Sequence, residues 1–232
     1  MMKHVLSADQ YDKESLNEVF ELTNKIKDHP KEYSNKLSDK IIAVMFYEPS
    51  TRTRLSFETA ALKLGAKIIT TENAGSSSSA SKGETIEDSV RVIAGYADAL
   101  VMRHKSETSA VEAASVNKIP ILNGGAGKGE HPTQALLDLY TIREKIGRLN
   151  NLKVAILGDL VNGRTIHSLI QLLALYENIQ IYGLSKEAFA LPQKYIDMLK
   201  QNNVEYTKCY SFEDLPKDLD VMYHTRIQSE RF

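Results

Sequence analysis

The chain is built around residues 46–58, which read Phe46-Tyr47-Glu48-Pro49-Ser50-Thr51-Arg52-Thr53-Arg54-Leu55-Ser56-Phe57-Glu58. The apolar run that leads into them, residues 40–46, contains β-branched side chains and predicts a buried parallel strand. After them, apolar residues recur near helical spacing as far as Gly65, which predicts a helix that Ser50 or Thr51 caps. A strand, a short turn and a helix N-terminus therefore direct several backbone N–H groups to one point.

Positions 50–54 add hydroxyl residues and two arginines to this helix N-terminus. The positive end of a helix dipole disfavours cations, so Arg52 and Arg54 are expected there only if an anion offsets them. Arginine also matches the geometry of a phosphate group better than lysine does. We interpret the segment as a phosphate site. The alternative is an ordinary capped helix with a solvated basic first turn.

The composition is typical of a globular protein without a strongly charged binding face. Of the 232 residues, 42% are hydrophobic and 25% are charged, and the formal net charge is -1. This balance argues against nucleic acid and against a membrane surface as partners. Cys209 is the single cysteine, which excludes an intrachain disulfide and favours a reduced compartment. Without an apolar run of membrane-spanning length or a signal-peptide core, the expected location is cytoplasmic.

Predicted strands alternate with predicted helices, which is typical of parallel sheets with helices on both faces. The strands are predicted at residues 40–46, 66–70, 99–102, 119–122, 152–157, 179–182, 204–206 and 220–223. The helices are predicted at residues 13–27, 51–64, 84–97, 107–116, 131–147, 163–176 and 192–201. We therefore predict an α/β fold with two doubly wound parallel-sheet domains, residues 1–149 and 150–232, of which the second is incomplete. The helix at 131–147 leads from the first domain to the second.

Two glycine-containing segments resemble phosphate-binding loops. Residues 158–165 follow a predicted strand and nearly fit the Walker pattern, but Arg164 replaces its lysine. Residues 123–130 are rich in glycine, but Glu130 stands where a hydroxyl residue should follow, so we interpret them as a loop before a helix. A nucleotide site at residues 158–165 is the weaker hypothesis.

Basic and polar residues follow five predicted strands, namely Ser50 to Arg54, Arg103, His131 with Gln134, Arg164, and Arg226. Because ligands of open α/β sheets gather at the carboxyl ends of the strands, these residues together predict a polyanionic ligand set. No Ser-His-Asp order, no pair of catalytic carboxylates and no His or Cys metal spacing accompanies them. We therefore expect neither a metal nor a cofactor.

Several short motifs follow one another, without interruption of their spacing, from about residue 40 to the end of the chain. They are Ser50-Thr51-Arg52-Thr53-Arg54, the serine-rich loop that ends in Lys82-Gly83-Glu84, Val101-Met102-Arg103, His131-Pro132-Thr133-Gln134, residues 158–165, and the final segment from Thr225 to Phe232. Together they resemble the catalytic chains of aspartate carbamoyltransferases, in the aspartate/ornithine carbamoyltransferase superfamily. The loop with Lys82 and the final segment favour aspartate over ornithine as the acceptor.

The resemblance implies which residues bind carbamoyl phosphate. They are Ser50, Thr51, Arg52, Thr53, Ser78, Arg103, His131 and Gln134. Among them, Thr53, Arg103 and His131 would act catalytically by stabilising the oxyanion as the amine attacks. Gln134 would bind the carbamoyl amino group. The implied reaction has no covalent intermediate, and the departing phosphate is the expected proton acceptor.

The resemblance also implies an aspartate site and an active site shared between subunits. The aspartate ligands would be Lys82, Arg164, Arg226 and Gln228. Lys82 would also take part in catalysis, and it would come, with Ser78, from the neighbouring subunit of a homotrimer. Regulatory chains or other chains of the pyrimidine pathway are further implied partners. Arg54 would be structural, paired with Glu58 or Glu48.

The implied activity is transfer of the carbamoyl group of carbamoyl phosphate to the amine of L-aspartate in pyrimidine biosynthesis. Family members continue past the position of Phe232, so we expect this chain to lack their C-terminal portion and to have low activity by itself. Two alternatives stay open. One is a carbamoyltransferase with another amine acceptor, and the other is a non-catalytic binding or assembly chain that keeps the phosphate site.

Overall fold

The computed structural model describes residues 3–72 and 83–226, and its strands form two separate parallel sheets. The strands are β1 (Ile41–Phe46), β2 (Lys67–Glu72), β3 (Ala99–His104), β4 (Ile121–Ala126), β5 (Lys153–Leu157), β6 (Gln180–Leu184), β7 (Glu205–Cys209) and β8 (Val221–His224). The helices are α1 (Lys13–Asp28), α2 (Pro30–Tyr33), α3 (Thr51–Lys63), α4 (Ile86–Ile93), α5 (Ser109–Ser115), α6 (Pro132–Ile146), α7 (Arg164–Leu173) and α8 (Gln193–Gln201). Within the described ranges, no helix is both long and apolar enough to cross a membrane.

The first sheet has the strand order β2-β1-β3-β4 and lies in a compact unit formed by residues 1–10 and 17–133. Its inner strands carry apolar residues without alternation, as strands covered on both faces require, and Val44 and Leu100 are fully buried. The chain order reverses between β1 and β3, which lie side by side with Phe46 opposite Arg103. Open α/β sheets bind ligands at the carboxyl ends of strands beside such a reversal.

The second sheet has the order β7-β6-β5-β8 and lies in a unit formed by residues 11–16 and 134–232. Strand β5 is its apolar centre, and Ile156 is fully buried. Helix α7 is buried on more than one face, because the consecutive residues Ile166, His167 and Ser168 are all buried. The chain order reverses between β5 and β8, where Leu157 lies opposite His224. The second unit therefore repeats the arrangement that favours a ligand at a strand edge.

Strand β4 extends further than predicted. Its glycine content predicts a loop from residue 123, but the strand continues to Ala126. It pairs there with β3, with Met102 opposite Asn123 and a shift of register before His104. A Cβ atom added to Gly124 would lie 3.3 Å from the Met102 carbonyl oxygen, so the backbones approach more closely than most side chains allow. Glycine serves close packing here rather than a loop.

Two helices are markedly shorter than predicted. Helix α4 begins at Ile86 because the Thr85 hydroxyl accepts a hydrogen bond from the Asp88 backbone N–H, and it ends at Ile93. Helix α7 ends at Leu173, before the predicted end at residue 176. The compact units divide along the chain between Thr133 and Gln134. The domain boundary at residues 149 and 150 stays a prediction.

Gly158 lies where the ends of three strands of the second sheet meet. Its N–H donates to the Leu184 carbonyl at 3.3 Å, and an added Cβ would overlap the Thr225 carbonyl oxygen. Its φ of +108° is also unfavourable for a side chain. We expect Gly158→Ala to lower the free energy of unfolding by about 2–4 kcal/mol, the sum of backbone strain and overpacking. Denaturant unfolding measures this loss.

Gly147→Ala is the matched control for this substitution. Gly147 has a φ of +78°, but no atom lies within 4 Å of its added Cβ. The control therefore adds backbone strain alone, at a cost of about 1–2 kcal/mol. Equal losses of stability in the two variants would contradict a special role for the contact between Gly158 and Thr225.

Candidate active site

The N-terminus of α3 lies directly after β1, at the reversal point of the first sheet. Ser50 is the N-cap residue, as predicted, but its side chain makes no capping bond to a backbone N–H. Its hydroxyl instead donates to the Thr53 hydroxyl at 3.0 Å. Thr51 is the first helical residue, so the alternative prediction of Thr51 as the cap is wrong. Ser50 thus leaves the first-turn N–H groups to another acceptor, which an anion can provide.

The two arginines of this segment differ in their surroundings. Arg54 is partly buried, and its terminal nitrogens contact Glu58 and Glu72, each at 3.2 Å. Arg52 is exposed, and within the described residues the structure records no hydrogen bond or ion pair for it. The predicted structural pairing of Arg54 with Glu58 is confirmed. Of these two arginines, Arg52 is therefore the one that the described residues leave available to a ligand.

Arg103 enters the same edge of the sheet from β3. It is buried, with 7% of its surface exposed, and its Nη1 donates to the Gly124 carbonyl at 3.2 Å. Its Nη2 lies 3.2 Å from Glu48, which therefore pairs with Arg103. The alternative prediction of Glu48 as a partner of Arg54 is wrong, because Arg54 contacts Glu72 on β2 instead. A buried guanidinium fixed on two sides is a preorganised cation.

His131 follows β4 and directly precedes α6. It is buried, with 6% of its surface exposed, and Pro132 is the first residue of the helix. Proline is favoured at this position because its fixed φ suits the first turn. Strands β1, β3 and β4 are neighbours in the first sheet, so the segments that follow them lie along one sheet edge. The structure therefore brings one set of predicted residues to this edge, namely Ser50, Thr51, Arg52, Thr53, Arg103 and His131.

The second unit carries its own set of predicted residues. Arg164 begins α7 after β5, and Arg226 follows shortly after the neighbouring strand β8. Gln134 lies in the first turn of α6 and belongs to this unit as well. Two guanidinium groups that follow neighbouring parallel strands suit a ligand with more than one carboxylate.

The loop at residues 158–163 does not resemble a phosphate cradle. Asp159 is fully buried within it, and its carboxylate accepts hydrogen bonds from the backbone N–H of Asn162 at 2.9 Å and from the Asn162 side chain at 3.1 Å. A carboxylate at the centre of a loop repels phosphate. The geometry gives no support to the weaker hypothesis of a nucleotide site here.

The family is decided by a comparison with known sequence families. Residues 3–144 match the model described as aspartate/ornithine carbamoyltransferase, carbamoyl-P binding domain. The chain belongs to this carbamoyltransferase family. The predicted resemblance is therefore confirmed, and so is the α/β fold with two parallel sheets.

Individual carbamoyltransferases match along the whole chain. The aspartate carbamoyltransferase catalytic subunit of Methanocaldococcus jannaschii is 47% identical over 233 residues, covering 100% of this chain and 76% of the relative. The chloroplastic aspartate carbamoyltransferase of Arabidopsis thaliana is 45% identical over 233 residues, and the chain spans 60% of its length. These shares leave part of each relative without a counterpart in the sequence.

Solved structures of carbamoyltransferases show the same fold. The catalytic subunit of M. jannaschii aspartate transcarbamoylase superposes with a TM-score of 0.92 at 47% identity, covering 100% of this chain and 76% of that one. The Trypanosoma cruzi enzyme in complex with carbamoyl phosphate and aspartate superposes with a TM-score of 0.91 at 34% identity, covering 99% of this chain and 74% of that one.

Three of the predicted carbamoyltransferase residues, Ser78, Lys82 and Gln228, lie outside the described residues, so their roles stay predictions. Among the residues that are described, no group of three or more His, Cys, Asp or Glu side chains could hold a metal ion.

Sequence reasoning missed Asp138, which contacts the predicted site residue Gln134, and Tyr223, which contacts Asp138. Asp138 accepts a hydrogen bond from the Gln134 amide nitrogen at 2.9 Å, and Tyr223 donates to the same carboxylate at 2.9 Å. The spacing of four residues between Gln134 and Asp138 on a predicted helix was a usable signal, because side chains four apart on a helix are neighbours. Tyr223 lies on a distant strand, and no local pattern pointed to it.

Proposed function

We propose that this chain catalyses transfer of the carbamoyl group of carbamoyl phosphate to the amine of L-aspartate, giving N-carbamoyl-L-aspartate and phosphate. The observation that carries the proposal is the pair of cationic strand edges, one in each unit. The edge of the first unit combines a helix N-terminus with hydroxyls and Arg52, which suits a phosphate group. The edge of the second unit presents Arg164 and Arg226, which suit a dicarboxylate. Relatives named aspartate carbamoyltransferase support the same assignment.

The proposed mechanism stabilises developing charge rather than forming a covalent intermediate. The amine nitrogen of aspartate attacks the carbonyl carbon, and negative charge develops on the carbonyl oxygen. Thr53, Arg103 and His131 stabilise that oxyanion. The bond from the carbon to the bridging oxygen then breaks, and the departing phosphate takes the amine proton. Well-placed reactants reach effective molarities of about 10⁵ M or more, so positioning can supply much of the rate enhancement.

Substrate contacts divide between the two sets of residues. Carbamoyl phosphate binds Ser50, Thr51, Arg52, Thr53, Ser78, Arg103, His131 and Gln134. Aspartate binds Lys82, Arg164, Arg226 and Gln228. The preorganised ion pair of Arg103 with Glu48 supports the oxyanion role, because a cation already fixed in place needs little rearrangement during the reaction.

The acceptor is tested by measuring phosphate release with aspartate, with ornithine and without an acceptor. We expect release to depend on aspartate, with ornithine giving no more than the background. Release that depends on ornithine would replace the proposed acceptor. Tight binding of N-(phosphonacetyl)-L-aspartic acid without turnover under any condition would instead favour a non-catalytic binding chain.

The proposal includes a homotrimer in which Ser78 and Lys82 serve the neighbouring subunit. Leu55 and Leu62, seven residues apart on one face of α3, are 48% and 61% exposed, and a second subunit could cover them. Mixed trimers of Lys82→Ala and Arg52→Ala chains are expected to regain activity, because some sites then contain both intact residues. If the mixture stays inactive although the Lys82→Ala and Arg52→Ala chains each sediment as trimers, active sites shared between subunits are contradicted.

The compartment and further partners are also proposals. The single cysteine favours a reduced compartment such as the cytoplasm, whereas several relatives are named as chloroplastic. Cell fractionation distinguishes the two. Association with regulatory or other pyrimidine-pathway chains is tested by co-purification of the full chain from its own cells.

A further inference from the structure

Gln134 and Asp138 form a defined pair on α6. The amide nitrogen Nε2 of Gln134 donates to Oδ1 of Asp138 at 2.9 Å, across one helical turn. An ionised carboxylate can only accept hydrogen bonds. The contact therefore requires the nitrogen of the amide to face Asp138, and the amide oxygen Oε1 points away from it. An N–H group that approaches the Gln134 amide on the side of Oε1 then meets an acceptor.

The second carboxylate oxygen is held from another element. The Tyr223 hydroxyl, on β8, donates to Oδ2 of Asp138 at 2.9 Å. Burial raises the pKa of Tyr223, and the neighbouring Asp138 raises it further, so this hydroxyl stays a donor at neutral pH. Among the residues that the structure describes, Asp138 is the one acceptor recorded for the Tyr223 hydroxyl. The Tyr223 hydroxyl therefore donates to Asp138, and the ionised carboxylate accepts.

The Asp138 carboxylate is partly buried and therefore partly desolvated. The pKa of Asp138 is raised, chiefly by burial, and the hydrogen bonds from Gln134 and Tyr223 offset part of this rise. Hydrogen bonds to a charged acceptor with little water around it are stronger than those on the surface. The orientation of the Gln134 amide is thus more firmly set than that of an exposed glutamine.

We infer that Asp138 is a positioning residue: together with Tyr223 it fixes the Gln134 amide so that its oxygen accepts the N–H groups of the carbamoyl substrate. This inference rests on the proposed function, because it needs carbamoyl phosphate as the ligand of Gln134. Its consequence is selectivity for an amino group over a methyl group. Acetyl phosphate, which carries a methyl group at that position, would leave the amide oxygen without a donor.

The test compares the affinities of carbamoyl phosphate and acetyl phosphate for the full chain by calorimetric titration. In Asp138→Asn, Tyr223 continues to donate, so the introduced side chain turns its oxygen toward Tyr223 and its NH₂ toward Gln134. The Gln134 amide must then reverse and present its own NH₂ to the carbamoyl amino group. We expect the preference for carbamoyl over acetyl phosphate to fall about tenfold.

A second substitution is expected to reverse the change in preference, which a merely structural role of Asp138 would not do. Tyr223→Phe removes the donor that fixes the introduced amide in Asp138→Asn. In the double variant, which combines Asp138→Asn with Tyr223→Phe, that amide is free to turn its oxygen back toward Gln134. We expect the double variant to recover most of the lost preference, although it carries one more change than Asp138→Asn alone. A further fall in the double variant would overturn the inference.

Asp197→Asn is the matched control. Asp197 accepts from the Gln193 amide nitrogen at 2.8 Å, with the same spacing of four residues, on the exposed surface of α8. The control is expected to leave both affinities unchanged. If the parent chain is active on aspartate and Asp138→Asn keeps a preference within about twofold of the parent value, the inference is overturned. The proposed function then still stands. A parent chain that neither binds carbamoyl phosphate nor transfers its carbamoyl group would instead overturn the proposed function.

A crystal structure of the parent chain with carbamoyl phosphate tests the same point if Asp138→Asn does not fold. The inference requires the carbamoyl nitrogen within hydrogen-bond distance of one atom of the Gln134 amide, with the other atom still on Asp138. A broken contact between Gln134 and Asp138, or a carbamoyl nitrogen bound elsewhere, would overturn it.

Discussion

Replacing Arg52 with alanine is expected to weaken carbamoyl-phosphate binding while leaving the fold at least as stable. A hydrogen bond to a charged phosphate contributes about 1.5–3 kcal/mol, which corresponds to a loss of affinity of about 10- to 100-fold. In the absence of ligand, a cation in the first turn of α3 opposes the helix dipole, so its removal stabilises the helix by about 0.3–1 kcal/mol. Titration with carbamoyl phosphate and thermal unfolding without it should therefore change in opposite directions.

Arg54→Ala provides the contrast on the same helix. This substitution breaks the ion pairs with Glu58 and Glu72, so its main effect should be a lower free energy of unfolding. Arg52→Lys keeps the charge but loses the two-pronged geometry, so its affinity should lie between those of the parent and Arg52→Ala. A larger loss of phosphate affinity in Arg54→Ala than in Arg52→Ala, in chains of equal stability, would contradict the assignment.

Local patterns were sufficient for most elements of the fold. The apolar run before Phe46 and the helical spacing after Ser50 predicted β1 and α3 closely, with only their ends shifted. The extension of β4 to Ala126 was not predictable in this way, because glycine composition is typical of loops and pairing with β3 is a tertiary effect. Sequence periodicity also cannot supply the strand orders, which determine that β1 lies beside β3 and β5 beside β8.

Two sequence signals predicted different properties of the candidate site. The strand-end rule found Arg103, Arg164 and Arg226, but by itself it indicated only a polyanionic ligand. The identities of carbamoyl phosphate and aspartate came from the family resemblance. Contacts between distant segments, such as Glu48 with Arg103 or Asp138 with Tyr223, need the folded chain before they can be recognised.

Replacing Arg164 with alanine is expected to raise the KM for aspartate by about 10- to 100-fold, because one charge-assisted contact with a carboxylate contributes about 1.5–3 kcal/mol. Carbamoyl-phosphate affinity should remain that of the parent, since the proposed ligands of its phosphate group lie in the other unit. Initial rates over a range of aspartate concentrations, at saturating carbamoyl phosphate, measure the first effect, and titration measures the second.

Arg148→Ala is the matched control, because Arg148 precedes β5 whereas Arg164 follows it. The Arg148 guanidinium contacts Asp220 at 2.6 Å and is partly exposed, so its loss should cost about 1 kcal/mol of stability or less. The KM for aspartate should not change in this variant. Comparable increases of KM in both variants would mean that general loss of positive charge, rather than a contact made at the carboxyl end of β5, weakens aspartate binding. The separation of the two substrates between the two strand edges would then have to be abandoned.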